Sequence, residues 1–141
     1  LHLDHFFLQP HQRTPQRLAQ PGGNVDYERF WQQVMVPLRQ GVSFSYHPYD
    51  CSVQQLTDAV EVLPTSIVFV EGSYSCHPAL WKGYDLHIFL TVQPTEQLRR
   101  IAIRNGQQGL KVFQERWIPL EERYFSAFSV QQRCELCFAT D

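Results

Sequence analysis

Asp4, Asp26 and Glu71 are the acids whose surroundings single them out for chemistry, and Arg99, Arg100 and Arg104 are the cations that could answer them. Glu71 follows the run Ser66-Ile67-Val68-Phe69-Val70 and precedes Gly72, while Asp4 closes the short alternation Leu1-His2-Leu3. An apolar run bounded by Pro64 and Gly72 predicts a strand buried on both faces, as in the middle of a parallel sheet covered by helices. In open α/β sheets ligands collect beyond the carboxyl ends of the strands, so both acids stand where a ligand would arrive. Two such carboxylates suit Mg²⁺, which takes oxygen ligands and is usually held by one or two carboxylates with waters and phosphate oxygens. A carboxylate there can also orient a substrate hydroxyl or accept its proton during phosphoryl transfer, with cations neutralising the charge on the moving group. Arginine's planar fork matches phosphate geometry. The plainer readings are a solvated strand end for Glu71, a solvated helix face for the arginines, and a helix N-cap for Asp26.

Other chemistries have weaker support. A zinc site draws on Cys51, Cys76, Cys134, Cys137 and six histidines, but only one Cys-x-x-Cys pair is present, and paired spacings are what such sites use. The cysteines, with His77 and His87, read better as packing residues. Gly72-Ser73-Tyr74-Ser75 lacks the Gly-x-Ser-x-Gly elbow of a serine hydrolase.

The elements that must position these residues follow from spacing. Residues 1–8 predict a short strand and then a loop. Residues 9–23 carry Pro10, Pro15, Pro21, Gly22 and Gly23, a loop of a length usually reserved for function, with a helical turn near Arg17. Tyr27, Phe30, Trp31, Val34, Met35 and Leu38 recur at steps of three and four, predicting a helix over 26–39, loosened at Pro37 and ended by Gly41. Residues 43–50 and 59–63 predict a hairpin or edge ribbon, with Pro48 confining its strand to an edge. A second buried strand is expected over 86–92. A helix then starts at Pro94 and ends at Asn105-Gly106, a second is bent at Pro119, and a short strand closes the pattern over 134–138. Strands alternating with helices after residue 64 predict an α/β fold with crossover helices.

A length of 141 residues, 43% hydrophobic and 18% charged, fits one globular domain over 1–141. The net charge of −2 argues against a general nucleic-acid or membrane surface, because those need a basic excess. No apolar segment approaches the roughly 20 residues that cross a bilayer. Four cysteines in a chain of this length do not resemble a disulfide framework, which points to a cytoplasmic setting.

In this order the motifs resemble the uridine kinase branch of the P-loop phosphotransferases, the group that includes phosphoribulokinase and bacterial pantothenate kinase. Asp4-His5-Phe6-Phe7 resembles the family's Asp-x-Phe-Tyr segment, Asn24-Val25-Asp26-Tyr27 with Phe30 its Asn-Phe-Asp-His-Pro-x-x-Phe segment, and Tyr49-Asp50 its Tyr-Asp-Phe edge strand. Val70-Glu71-Gly72 resembles the Glu-Gly that closes its Walker-B-like strand, Tyr84-Asp85-Leu86-His87-Ile88-Phe89-Leu90 the strand that follows, and the arginine helix its lid. The resemblance implies a mainly parallel P-loop NTPase-like sheet with flanking helices and a small hairpin insertion. It implies an ATP-dependent kinase moving the γ-phosphate to a hydroxyl of a small molecule such as a nucleoside, with Mg²⁺ and ATP required and a homo-oligomer allowed. Asp4 would activate the hydroxyl and share Mg²⁺ with Glu71. Phe7, Asp26 and Tyr49 would bind the acceptor, and Arg100 and Arg104 would reach the triphosphate.

No Gly-x-x-x-x-Gly-Lys-Ser/Thr phosphate loop occurs in these residues. With Leu1 opening as the end of a strand, the expectation is an N-terminally truncated domain whose first strand and phosphate loop lie before Leu1, so that the chain alone does not turn over. Tyr27-Glu28 in place of His-Pro, Cys51 in place of an aromatic and the longer 9–23 loop point away from uridine itself as the acceptor. The alternative is a non-catalytic regulatory or interaction protein that keeps the fold.

Overall fold

The computed structural model describes residues 1–140. It divides into two compact units, one over Leu1–Tyr84 and one from Asp85 onward.

In the first unit, His2 makes a single parallel bridge to Glu71, and the chain turns at once into a 3₁₀ helix, Leu3–Phe6, that buries Leu3 and Phe6. The strand expected over the first residues is thus one bridge and a turn. Residues 6–8 then pair antiparallel with 24–26, through Asp26 N–H to Phe6 O at 2.7 Å and Leu8 N–H to Asn24 O at 3.1 Å. Between them lie a 3₁₀ turn, Pro10–Gln12, and helix α1, Pro15–Leu18, capped by Thr14 Oγ1, which accepts from Arg17 N–H. Gly23 lies so close under this turn that a Cβ would sit 2.0 Å from Arg17 O.

The helix expected over 26–39 forms as α2, Tyr27–Phe30, a π turn, Trp31–Met35, and α3, Val36–Gln40. Pro37 explains the π turn. It has no N–H to donate and its ring clashes with the carbonyl four residues back, and a wider turn ahead of it relieves both. Gly41 ends the helix at φ 67°, its N–H reaching Leu38 O. Strands β1, Phe44–Tyr46, β2, Tyr49–Asp50, β3, Gln55–Leu56, and β4, Val60–Val62, form two antiparallel pairs, β1 with β4 and β2 with β3. This is the expected ribbon, and it lays Tyr46 and Tyr49 on a core with Phe6 and Phe30. Phe6 meets Phe30 edge-on at 5.0 Å and Tyr46 at 5.1 Å, spacings at which aromatic pairs attract beyond their buried area.

The second unit pairs β5, Ile88–Thr91, in parallel with β6, Leu136–Ala139. Helix α4, Pro94–Val112, is broken at Gly106, whose backbone is not helical (φ 69°, ψ 179°). A π turn, Phe113–Trp117, again precedes a proline, here Pro119 in α5, Ile118–Phe128, and α6, Val130–Arg133, follows. Tyr124, Val130 and Ile101 are its buried apolar residues.

The expected mainly parallel P-loop-like sheet is not what these strands form. Among the described residues there are three two-stranded sheets, two of them antiparallel. The run 66–70, expected as a strand buried on both faces, lies outside every ladder, with Ile67 73% and Phe69 74% exposed. A central strand needs a partner along each edge. This run has one short contact, where the Leu1 amino group donates to Phe69 O and Glu71 N–H to Leu1 O.

Candidate functional site

The first unit gathers five of the eight residues singled out from the sequence: Asp4, Phe7, Asp26, Tyr49 and Glu71. Leu3 N–H donates to Glu71 O at 2.9 Å, which sets the 3₁₀ turn carrying Asp4 against the Glu71-Gly72 corner. Gly72 is at φ 136°, and a Cβ there would lie 3.2 Å from the Leu3 Cβ and 3.4 Å from Asp4 Oδ1. The corner therefore needs glycine both for its backbone angle and for the approach of Asp4. Asp4 and Glu71 are both exposed, and the Glu71 carboxylate is engaged by His2 Nδ1. The His2 ring also meets His5 edge-on at 5.1 Å. Burial, reinforced by the neighbouring His2, lowers the pKa of His5.

Asp26 is buried, 3% exposed. Its Oδ1 accepts from Arg29 N–H at 3.0 Å, the bond of an N-cap. Its Oδ2 accepts from Gln12 Nε2 at 2.7 Å and lies 3.7 Å from Arg29 Nε. The Arg29 guanidinium lies 4.1 Å over the Phe6 ring and donates to His5 O and His47 O, both at 2.8 Å. Burial lowers its pKa despite the neighbouring carboxylate. Arg29 Nε and Asn24 Nδ2 are buried without a hydrogen-bond partner, so polar capacity beside Asp26 is left unused. Tyr49, also 3% exposed, accepts at its hydroxyl from Arg13 Nη2 at 2.7 Å. Phe7 is half-buried and bridges Val25.

The 9–23 loop thus closes on this site through consecutive residues, Gln12 on Asp26 and Arg13 on Tyr49. Gln12 is itself fixed, its Oε1 accepting from Gln9 N–H at 2.9 Å. The far end of the loop is held by Arg17, which donates to Gly23 O and Val25 O and clasps Glu28 with two bonds of 2.6 and 2.7 Å. That pairing lowers the pKa of Glu28. The Arg17 guanidinium covers Tyr27 at 4.2 Å, and Tyr27 stacks on His77 at 4.1 Å and 15°. Burial, then the Arg17 charge, brings the pKa of His77 down to about 4. Its Nδ1 accepts from Ala79 N–H at 3.2 Å, which fits the neutral ring. His77 is structural, as expected. So is His87 in the second unit, whose backbone N–H and Nδ1 meet Glu135 at 2.8 and 3.0 Å.

Arg100 and Arg104 belong to the second unit, on α4, and both are engaged locally. Arg100 Nε donates to Glu96 at 2.7 Å, alongside Arg99, and Arg100 also reaches Thr140 O. Arg99, then Arg100, holds the Glu96 carboxyl at about 2. Arg104 bonds Asn105 Oδ1 at 2.8 Å and lies 5.6 Å over Phe113.

Gln12, Arg13 and Arg17 did not stand out as individual residues in the sequence. The signal for them was the length and Pro/Gly content of their loop. No protein-family model matches the chain, and no curated protein matches it at a significant level. No group of three or more His, Cys, Asp or Glu side chains placed for a metal ion occurs among the described residues, and no helix there is long and apolar enough to cross a membrane.

Proposed function

We propose that this chain supplies the acceptor side of an ATP-dependent phosphotransferase similar to uridine kinases, moving the γ-phosphate of ATP to a hydroxyl of a small molecule. The observation that carries the reading is the pairing of an exposed carboxylate, Asp4, beside the Glu71-Gly72 corner with a buried polar floor, Asp26 and Tyr49, in the same unit. Asp26, with Gln12 displaced, accepts hydrogen bonds from the acceptor's hydroxyls. Asp4 orients the reacting hydroxyl and takes its proton, and Phe7 and Tyr49 offer an apolar wall. Cytoplasmic residence belongs to the same proposal, as does a small-molecule partner rather than nucleic acid.

In this proposal Asp4 and Glu71 would hold Mg²⁺, an ion commonly bound by one or two carboxylates and otherwise by water and phosphate oxygens. Bound there, it would neutralise phosphate charge. His2 engages Oε1 of the Glu71 carboxylate, so it would compete with the ion for that oxygen.

The test is transfer of labelled γ-phosphate from Mg·ATP to a panel of nucleosides, pantothenate and sugar derivatives, using the protein as its gene encodes it. Asp4→Asn is expected to lower kcat by about 100-fold or more with little change in acceptor affinity, the size usual for a general base. Equal losses in both would refute the role of Asp4. Absence of transfer to every acceptor would favour the non-catalytic reading.

A further inference from the structure

Of the three arginines in the stretch 13–29, Arg17 is matched by Glu28 and Arg29 lies against Asp26, while Arg13 makes no ion pair within the first unit. It is nevertheless held firmly. Its Nε donates to Leu8 O at 3.0 Å and its Nη2 to the Tyr49 hydroxyl at 2.7 Å, with the guanidinium 5.8 Å over the Tyr49 ring. Leu8 and Tyr49 are each 3% exposed, so the fork is anchored to the core while Arg13 itself is exposed. A guanidinium has five N–H donors. The two bonds use one from Nε and one from Nη2, which leaves the Nη1 pair and one Nη2 proton without an acceptor in the first unit.

The neighbours say what lies in front of it. Gln12, one residue away, sits on Asp26. The exposed Cys51 thiol lies within electrostatic reach of Arg13 and of two carboxylates, Asp50 and Asp4. Arg13 therefore stands near the proposed base and, through Gln12, next to the hydroxyl-binding acid, and it brings there a preorganised positive fork that no ion pair answers. Such a fork is the geometry that reads a carboxylate or phosphate through two parallel hydrogen bonds.

We infer that Arg13 is a specificity-determining residue for an acceptor that carries an anionic group, a carboxylate or a phosphate ester, together with the hydroxyl presented to Asp4 and Asp26. The inference rests on the phosphotransferase reading for the role of the hydroxyl, while the anion contact can be measured without turnover. A nucleoside, being neutral, would leave the fork unanswered.

The test uses matched pairs that differ in the anion, pantothenate against panthenol and ribose 5-phosphate against ribose, titrated calorimetrically onto the protein at low and moderate salt. The anionic member of at least one pair is expected to bind about 10- to 100-fold more tightly, the range for hydrogen bonds to a charged group, and to weaken with salt. The pair that shows the preference identifies carboxylate or phosphate. Arg13→Gln should bring the two members of that pair to equal affinity, with a cooperative urea transition and unchanged affinity for the neutral member confirming an intact fold. Equal binding within both pairs by the unsubstituted protein would overturn the inference, as would a preference that survives Arg13→Gln. Phosphate transfer to the neutral members with no advantage for the anions would remove the inference and leave the phosphotransferase reading standing. Anion binding that depends on Arg13, with no transfer from Mg·ATP, would do the reverse.

Discussion

Replacing Asp26 should separate its structural work from its charge. Three interactions end on its carboxylate: the cap bond from Arg29 N–H, the bond from Gln12 and the attraction of the Arg29 guanidinium. The two side chains of the ion pair are 5% and 10% exposed, so solvent does little to replace what is removed. Asp26→Ala deletes a cap worth about 1 kcal/mol and leaves a buried guanidinium without its counter-charge, a defect that costs about 3 to 5 kcal/mol when a buried pair is broken from one side. These contributions share Arg29 and do not add. A total loss of about 3 to 5 kcal/mol is the expectation. Asp26→Asn keeps one oxygen for the cap, where Asn serves as well as Asp, but turns an amide N–H₂ toward Gln12 Nε2. It forfeits the charge and the Gln12 bond, and should cost less than Asp26→Ala by the worth of the cap, about 1 kcal/mol. Urea unfolding of the two variants measures the difference, and hydrogen exchange of amides 6–40 shows whether the loss stays in the first unit. If Asp26→Ala and Asp26→Asn cost the same and less than about 1 kcal/mol, Asp26 is neither capping α2 nor neutralising Arg29.

Acid should loosen the stack beneath the loop. The pKa of His77 falls from 6.5 to about 4, so its contribution to stability is complete above pH 6.5 and is lost as pH falls from 6.5 to 4, where the unfolded chain binds the proton more readily. That contribution is at most about 3 kcal/mol at 1.4 kcal/mol per pH unit. Urea midpoints measured across that window should fall, and His77→Phe, which keeps a ring on Tyr27, should flatten the dependence; an unchanged slope would assign it to other groups. Two glycines should respond differently to alanine. Gly41→Ala meets nothing within 4 Å and has only its φ of 67° against it, costing about 1 to 2 kcal/mol. Gly23→Ala drives a Cβ to 2.0 Å from Arg17 O and should cost about 3 kcal/mol or more, while also freeing the loop to protease. Similar midpoints for the two variants would refute that ordering.

Local signals were legible because their physics is local. Asp26 as a cap, Gly41 as a helix end, the break at Gly106 and the ribbon around Pro48 depend on one residue's angles or donors, and each is found where its spacing placed it. Both prolines expected to disturb helices do so by the same device, a π turn just ahead of the helix that contains them. Pattern reasoning misplaced the run 66–70 because apolarity states what a segment would bury and not whether a neighbour exists to bury it. With no ladder on either edge, Ile67 and Phe69 remain exposed.

The site divides in the same way. Acids could be proposed from sequence because a carboxylate after an apolar run is a visible pattern. Their partners could not, because Gln12 on Asp26 and Arg13 on Tyr49 are contacts across 14 and 36 residues set by how the loop folds back. The consequence for binding follows from where those partners stand. Asp26 is already engaged by the loop, so an acceptor reaches its Oδ2 by exchanging a hydrogen bond for that of Gln12, while Arg13 keeps its bond to Tyr49. Exchanging one hydrogen bond to the Asp26 carboxylate for another is nearly even in free energy. A ligand that only replaced Gln12 at Asp26 would therefore bind weakly, and one that also offered an anion to the unused donors of Arg13 would gain a bond that the closed loop does not make.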